Sequence, residues 1–530
     1  MTITTAERIH GAPRRLYRLA PAAAAVAALV IAAPARADWR FTPSLGLTQT
    51  WTDNLDLLPE PEARTQLVSE LAPAFDFALD SRRVKAAASG SFRQFAYRDS
   101  DMARPRNDHV SQYAGKLTGV VAEDLLFVDA AASSSRQNLT AFGPQVIDNP
   151  YSSLNNTQVK TWSISPYLSH RFGRQLAATV RLTRDGVETD ERNRFGDSTA
   201  DSVSLDLNND SSGQKLTWGL SYLHQDQESE LAGDSSVENL NSRLRYRLDS
   251  KFALTATAGY DRYDYNALGG RTAGRSWSGG FAWTPSQRTS IEASFGRHFF
   301  GKTGSLAASV RSRRTVWSVN YSDGITNTRE QFTLPSAIDT TALLDSLFLT
   351  SIPDPVLRRQ AVAAYIQSAG LPPSLADSVN YLSNRYMRQK LLQASAAFKG
   401  VRNSALLSLY GNERTALSSQ ESDSALLGSQ LASLNDNVRQ AGANATWVYR
   451  LSPRSDLSGT ASYSRSESLT TGIEDRQRQL RAAFNTKLGR HLTGTVELRR
   501  RSGNQGLGIG AARLRDYTEH AIAATLSMTL

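Results

Sequence analysis

Apolar and polar residues alternate with a period of two along most of this chain. Leu216, Trp218, Leu220 and Tyr222 fall on one face, and Lys215, Thr217, Gly219 and Ser221 on the other. Phe252, Leu254, Ala256, Ala258 and Tyr260 repeat the pattern, as do Ile291, Ala293 and Phe295, then Leu480, Ala482 and Phe484. The final segment carries Ile522, Ala524, Leu526, Met528 and Leu530 in one register. Successive side chains of a strand point to opposite faces, whereas a helix repeats every ~3.6 residues, so these segments are strands. Each runs for about ten residues before a turn, the signature of strands that face lipid on one side and a barrel interior on the other. No later segment is apolar for long enough to cross as a helix. In hydrocarbon every backbone N–H and C=O needs a partner, so a spanning sheet has to close on itself. The expected fold is all-β, a transmembrane antiparallel β-barrel.

Short and long connections alternate. Asp80–Arg83, Glu123-Asp124, Leu248–Lys251, Thr284–Gln287, Leu451–Arg454 and Leu488–His491 are short. Long ones lie near 51–66, 98–108, 138–156, 186–199, 226–237, 262–272, 323–386, 414–436 and 503–513. Barrels of the Gram-negative outer membrane have short periplasmic turns and longer external loops. Both ends of the barrel then lie in the periplasm, which needs an even number of strands. The segments count to about 22 strands, within a range of about 18 to 24. Between 300 and 323 the pattern reads as Ser305–Val310, a tight turn at Arg311–Arg314, and Thr315–Tyr321. The chain stops on the apolar Leu530, and a terminal apolar or aromatic residue is part of what the barrel assembly machinery reads.

The 323–386 segment differs in kind. Asp354 followed by Pro355 is an N-cap and first-turn pair. Val356 to Ala369 then reads as helix, with Val362, Tyr365, Ile366 and Ala369 on one face, and Gly370 as its stop. A shorter helix is expected over 340–349, with Leu343, Leu344, Leu347 and Phe348 together. This small helical insert in one external loop has the size of a lid, a plug, a docking site or an ordered cap. Neither helix is long enough to span a membrane, which weighs against a plug.

Residues 1–37 read as a signal peptide rather than as fold. Arg8, Arg14, Arg15 and Arg18 precede an apolar run from Leu19 to Ala33, and Ala35-Arg36-Ala37 is a small-x-small cleavage site. The mature barrel then occupies 38–530. Removing the signal takes away five Arg and one Glu and leaves a net charge of +6. No block of like charge suggests a nucleic-acid arm. The absence of cysteine excludes disulfides, thiolate metal sites and lipid attachment through an N-terminal cysteine.

Little in the chain suggests catalysis. The seven histidines have no zinc-ligand spacing, and there is no Walker loop, dinucleotide fingerprint or nucleophile elbow. No cofactor, metal or enzymatic activity is expected. The inward parity is more informative. With Leu240, Leu244, Tyr246 and Leu248 facing lipid, Arg243, Arg245 and Arg247 face the lumen, and the same parity places Arg181, Arg450, Arg481 and Lys487 inside. These residues either brace the wall against inward carboxylates or line a mildly cationic channel for anionic or polyhydroxylated solutes. External acidic residues (Asp185, Glu188, Asp190 and Glu191, then Asp226, Glu228 and Glu230) read as a solvated face or as partners of lipopolysaccharide through divalent cations. Trp39, Trp51, Tyr97, Trp277, Trp283, Trp317 and Tyr449 fit interfacial girdles against outer-membrane lipid.

Three segments carry a family resemblance. They are Trp51-Thr52-Asp53-Asn54-Leu55-Asp56-Leu57, Leu71-Ala72-Pro73-Ala74-Phe75, and Thr315 to Asp323 ahead of the helical insert. With them the mature chain resembles the PEP-CTERM system-associated outer-membrane β-barrel family. That family accompanies exosortase sorting and exopolysaccharide loci in Gram-negative bacteria. The resemblance implies an outer-membrane barrel in a surface-polysaccharide or protein-sorting pathway, with exopolysaccharide or PEP-CTERM components as partners. It brings no catalytic or binding residues. Four readings follow: an exopolysaccharide conduit, a general or solute-specific porin, a non-transporting surface scaffold, and an outer-membrane enzyme.

Overall fold

The structure is a computed structural model that describes residues 38–98, 106–145, 150–151, 155–173, 175–189, 197–209, 214–229, 233–327, 381–419, 432–505 and 515–530. Within the β-strand connection at 328–380 it describes residues 329–330, 344–345, 347–348, 358, 362 and 366. The expected signal segment 1–37 and its cleavage site lie outside the described residues.

The alternation becomes 22 strands in a continuous antiparallel meander. They are β1 (Asp38–Thr52), β2 (Gln66–Asp80), β3 (Val84–Tyr97), β4 (His109–Ala122), β5 (Leu126–Asn138), β6 (Asn156–Phe172), β7 (Leu176–Thr189) and β8 (Ser198–Asn208). Next come β9 (Leu216–Ser229), β10 (Ser235–Arg247), β11 (Phe252–Asp264), β12 (Ala273–Ser286), β13 (Thr289–His298), β14 (Gly301–Arg311) and β15 (Thr315–Thr326). The remainder are β16 (Met387–Lys399), β17 (Asn403–Ala416), β18 (Val438–Arg450), β19 (Ser455–Ser468), β20 (Glu474–Lys487), β21 (Leu492–Gln505) and β22 (Arg515–Thr529).

Each strand pairs with the next, and β1 also pairs with β22 from Ser44 opposite Thr529 to Thr52 opposite Ala521. The Leu530 amide donates to the Pro43 carbonyl at 2.9 Å, so the pairing continues to the last residue. Closure leaves no open edge, as a lipid-embedded sheet requires. Large apolar residues such as Leu182, Trp218, Leu244, Leu498 and Ile522 are exposed on the outside, where lipid replaces water. This closed barrel with an apolar outer face is an outer-membrane protein.

The end that carries Asp38 and Leu530 has short turns built from local hydrogen bonds. Asp249 accepts the amides of Lys251 at 2.6 Å and Phe252 at 2.8 Å, which hold its carboxyl below the usual range. Ser81 does the same for the Val84 amide at 3.0 Å. The other end carries the long loops, with two departures from the expected alternation. Phe299-Phe300 alone joins β13 to β14, and 469–473 joins β19 to β20. The first of these tight turns is possible because Gly301 adopts a φ of +130°.

Most of the expected girdle aromatics stand on the outer face, including Trp39, Trp51, Trp277, Trp283 and Trp317. Tyr449 stacks on outward Trp447 at 5.8 Å. Tyr97 is the exception. It shares the parity of buried Phe95 and turns inward, where its hydroxyl donates to the Asn107 carbonyl at 2.6 Å.

The insert leaves at Thr326 and rejoins at Met387, both at the external rim. Its described helical residues include Leu344, Leu347, Phe348, Val362 and Ile366, all on the expected apolar faces. The caps at Asp354-Pro355 and Gly370 lie outside the described residues.

Candidate functional site

The lumen wall is built by the residues that alternate with the lipid-facing set. Parity places Arg181, Arg243, Arg245, Arg247, Arg450, Arg481 and Lys487 on that inner face, each next to an outward neighbour. Their surroundings divide them. Arg181 is a brace, 2.9 Å from Asp129 and with its guanidinium 4.0 Å from the Tyr167 ring centre. Arg481 is a brace too, 2.7 Å from Glu497. Arg243 and Arg245 instead line a cavity of about 460 Å³ with Glu292, Asn320 and Gln393, where Arg245 lies 3.8 Å from Glu292. Arg247, Arg450 and Lys487 stand at the periplasmic ends of their strands, with no carboxylate within ion-pair distance among the described residues.

The Thr52-Asp53-Asn54 motif closes the barrel. Thr52 and Asn54 are buried where β1 meets β22. The Thr52 hydroxyl donates to Glu519 Oε1 at 2.9 Å. The Asn54 amide donates to the carbonyls of Leu58 at 2.7 Å and Thr518 at 2.8 Å, and its oxygen accepts the Leu58 amide at 2.8 Å. Asp53 accepts the His520 amide at 2.7 Å and lies 2.9 Å from the His520 ring. Asp56 continues the staple in a two-pronged ion pair with Arg106 at 2.8 and 2.9 Å.

Glu519 is also one rung of a charge ladder that the sequence reading missed. Its carboxylate lies 3.2 Å from Arg499 and 3.3 Å from Arg501. Arg499 lies 3.5 Å from Glu497, which meets Arg481. The signal was in the sequence: Leu498 on the lipid face puts Glu497, Arg499 and Arg501 inside. Several kcal/mol oppose burying each such ion alone, so the ladder stands only because each charge meets its opposite.

A different wall receives the insert. Leu344, Leu347, Phe348 and Val362 form one buried cluster with Val316, Ala397, Leu406 and Val448. These four wall residues alternate with exposed Trp317, Phe398, Leu407 and Trp447, so they face the lumen. They also lie near the periplasmic ends of β15 to β18. From Thr326 to Val316 the strand descends ten residues, on the order of 33 Å of chain. The described helical residues of the insert, which leaves and rejoins at the external rim, therefore seat deep in the lumen. The expectation against a plug fails because a plug needs no spanning helix, only an apolar face and a matching wall. Arg358 holds Asp345 at 2.7 Å within the insert, and the Lys399 ammonium lies 3.8 Å above the Phe348 ring.

Polar clamps fix the insert's two roots at the mouth. Arg329 pairs with Asp185 of β7 and donates to Ser198 of β8 at 3.0 Å. Asp185 is thus a buried clamp, not part of a solvated acidic loop. At the other root Arg385 pairs with Asp436 and donates to the Ser418 carbonyl at 3.0 Å. Tyr381 bridges to Asn138 and packs with Phe142, Leu434 and Val438, which draws three loops together over the opening.

No protein-family model and no curated protein matches this chain. Solved structures that resemble it include the FrpB iron transporter from Neisseria meningitidis. That pair is 10% identical over 92% of this chain and 82% of that one, with a TM-score of 0.47. Another is the siderophore receptor PirA from Acinetobacter baumannii, 7% identical over 93% of this chain and 80% of that one, at a TM-score of 0.45. Similarity at this level carries no information about ligand or partner.

Proposed function

We propose that the chain is a gated outer-membrane conduit, with its own β15–β16 insert as the gate, serving export or surface assembly of an exopolysaccharide. The observation that supports the gate is the seating of Leu344, Leu347, Phe348 and Val362 on the lumen wall. Each such burial contributes about 1.5–3 kcal/mol. The polysaccharide half rests on the family resemblance of 51–57, 71–75 and 315–323. Arg243, Arg245, Glu292 and Gln393 in the lumen supply donors and acceptors suited to acidic or hydroxylated sugars. Exosortase-sorted surface components belong to the same reading as partners.

Two measurements test it. Deleting the gene lowers cell-surface polysaccharide while its precursors persist. Purified protein in a planar bilayer is nearly closed, and removing 331–380 opens it. Normal surface polysaccharide in the deletion strain, together with an open and unselective channel from the intact protein, overturns the proposal in favour of a solute porin. That second reading draws on the same arginine-lined cavity.

A further inference from the structure

Four basic side chains stand on the outer face at the external end of neighbouring strands. Arg262 of β11, Arg275 of β12, Arg297 of β13 and Lys302 of β14 share the outward parity of Tyr260, Trp277, Phe295 and Leu306. All four are exposed. Arg297 and Lys302 are directly opposite in the register. Arg275 is opposite Tyr260, and Arg297 is opposite Trp277, so the cations step diagonally from strand to strand. Like charges placed this way repel each other and destabilise the pairing unless something neutralises them.

Elsewhere on the outer rim the neutraliser is a cross-strand carboxylate. Lys390 and Arg439 share Glu413, each at 3.0 Å. Arg388 holds Asp323 at 2.7 Å, Arg465 holds Glu474 at 2.9 Å, and Arg184 lies 3.4 Å from Asp201. Outward Arg478 shares its sector with Glu474 and Asp516, while Arg500 is opposite Leu480 and His520. Among the described residues no carboxylate lies within ion-pair distance of Arg275, Arg297 or Lys302. The acids at the edge of the patch are Glu238, opposite Arg262 and holding the Tyr222 hydroxyl at 3.0 Å, Asp264 at the rim, and Asp323 of β15, which is held by Arg388 at 2.7 Å while Arg388 also donates to the Lys302 carbonyl at 2.6 Å.

Position completes the case. Tyr260, Trp277 and Phe295, all about half exposed, lie one step toward the membrane centre from the cations. Aromatic rows of this kind sit at headgroup level, so the cations stand at the height of the outer-leaflet phosphates. The two-residue connection at Phe299-Phe300 keeps the rim low here. We infer that Arg275, Arg297 and Lys302, flanked by Arg262, bind the phosphate groups of the phosphorylated glycolipid of the outer leaflet. Guanidinium forks match phosphate oxygens two at a time, and a phosphate carries the charge that three unpaired cations need.

The test uses the full-length mature chain folded in detergent micelles, with heat-modifiable migration reporting folding and purified lipopolysaccharide as the probe. The Arg275→Gln, Arg297→Gln, Lys302→Gln variant loses affinity for it by about tenfold or more. Lys390→Gln with Arg439→Gln changes it by less than about twofold. Wild-type affinity falls with added salt, and lipid stripped of its phosphates binds wild type no better than intact lipid binds the triple variant. Unchanged binding by the folded triple variant, or equal binding of phosphate-free lipid by wild type, overturns the proposal. So does a lipid-independent dimer that the triple variant abolishes, which would make the patch a contact between copies. If the triple variant fails to fold, the wild-type comparison of intact and phosphate-free lipid decides alone.

Discussion

The two sides of the lumen wall are built on opposite principles. From β20 through β22 into β1 the wall is a ladder of buried charges, Arg481, Glu497, Arg499, Glu519 and Arg501, capped by Thr52. From β15 to β18 its periplasmic end is apolar and holds the insert. The ladder lies across the pairings that bring β20 to β22 round to β1 and close the sheet. Its geometry admits one register, because a shift of one residue would carry every charge to the lipid face. The apolar dock specifies less, and its separation breaks apolar contacts and the Lys399–Phe348 cation–ring contact rather than a ladder of ion pairs. A permanent seam and a movable element thus need different chemistry. Of the segments that carry the family resemblance, 51–57 lies on the permanent side and 315–323 on the strand that bears the dock's Val316.

The seam should break most severely. Glu519→Ala leaves Arg499 and Arg501 buried beside each other without their shared carboxylate, at a cost of about 3–5 kcal/mol. Urea unfolding in lipid vesicles reads this as a lower midpoint. A loss under about 1 kcal/mol would mean that the ladder braces nothing.

The dock should break differently. Phe348→Ala removes a ring buried against the wall, worth about 3–5 kcal/mol of packing, but only to the insert. The expected result is a large rise in bilayer conductance with little change in the barrel's urea midpoint. Equal loss of barrel stability in Phe348→Ala and Glu519→Ala would erase the distinction between the two walls.

A smaller effect tests the parity on which both assignments stand. Leu220→Arg puts a guanidinium on the lipid face, at up to about 2–4 kcal/mol, while Thr217→Arg puts it in the lumen with Arg245 across the strand pair. Vesicle refolding should fall further for Leu220→Arg. Equal tolerance would show the register on β9 to be wrong, and a larger loss for Thr217→Arg would mean that its faces are reversed.

Much of this was legible in the chain. Strand alternation gave the barrel, its strand number and the inward parity of Arg181 and Arg481, because period two is a local property. Turn chemistry at Asp249 and Ser81 marked the periplasmic end for the same reason. What alternation could not supply was partnership. Whether Arg481 meets Glu497 while Arg247 meets no acid among the described residues depends on cross-strand register, which is set across the whole sheet. The insert shows the same limit. Its apolar faces at Leu344, Leu347, Phe348 and Val362 could be read from spacing. Their landing site could not, since Val316 and Leu406 look like ordinary alternating positions. Asp185 read as a loop acid because its clamp, Arg329, is 144 residues away.

The smallest predicted effect concerns the insert's root, where the movable element meets the rim. Burial pushes the Glu330 carboxyl up to about 7, against the pull of nearby amides and Arg329. A released insert would ionise Glu330 in the ordinary carboxyl range, whereas the seated one holds the proton longer. The seated state is therefore fully favoured below about pH 4.5 and loses that contribution as pH rises through about 7. Arg329, clamped to Asp185, keeps the root attached at both extremes, so the shift should loosen the insert without freeing it. Bilayer conductance should rise modestly between about pH 5 and pH 8 in the wild type and stay level in Glu330→Gln. A Glu330→Gln protein that keeps the full pH response would assign the titration to another group and leave the dock as the sole control of the gate.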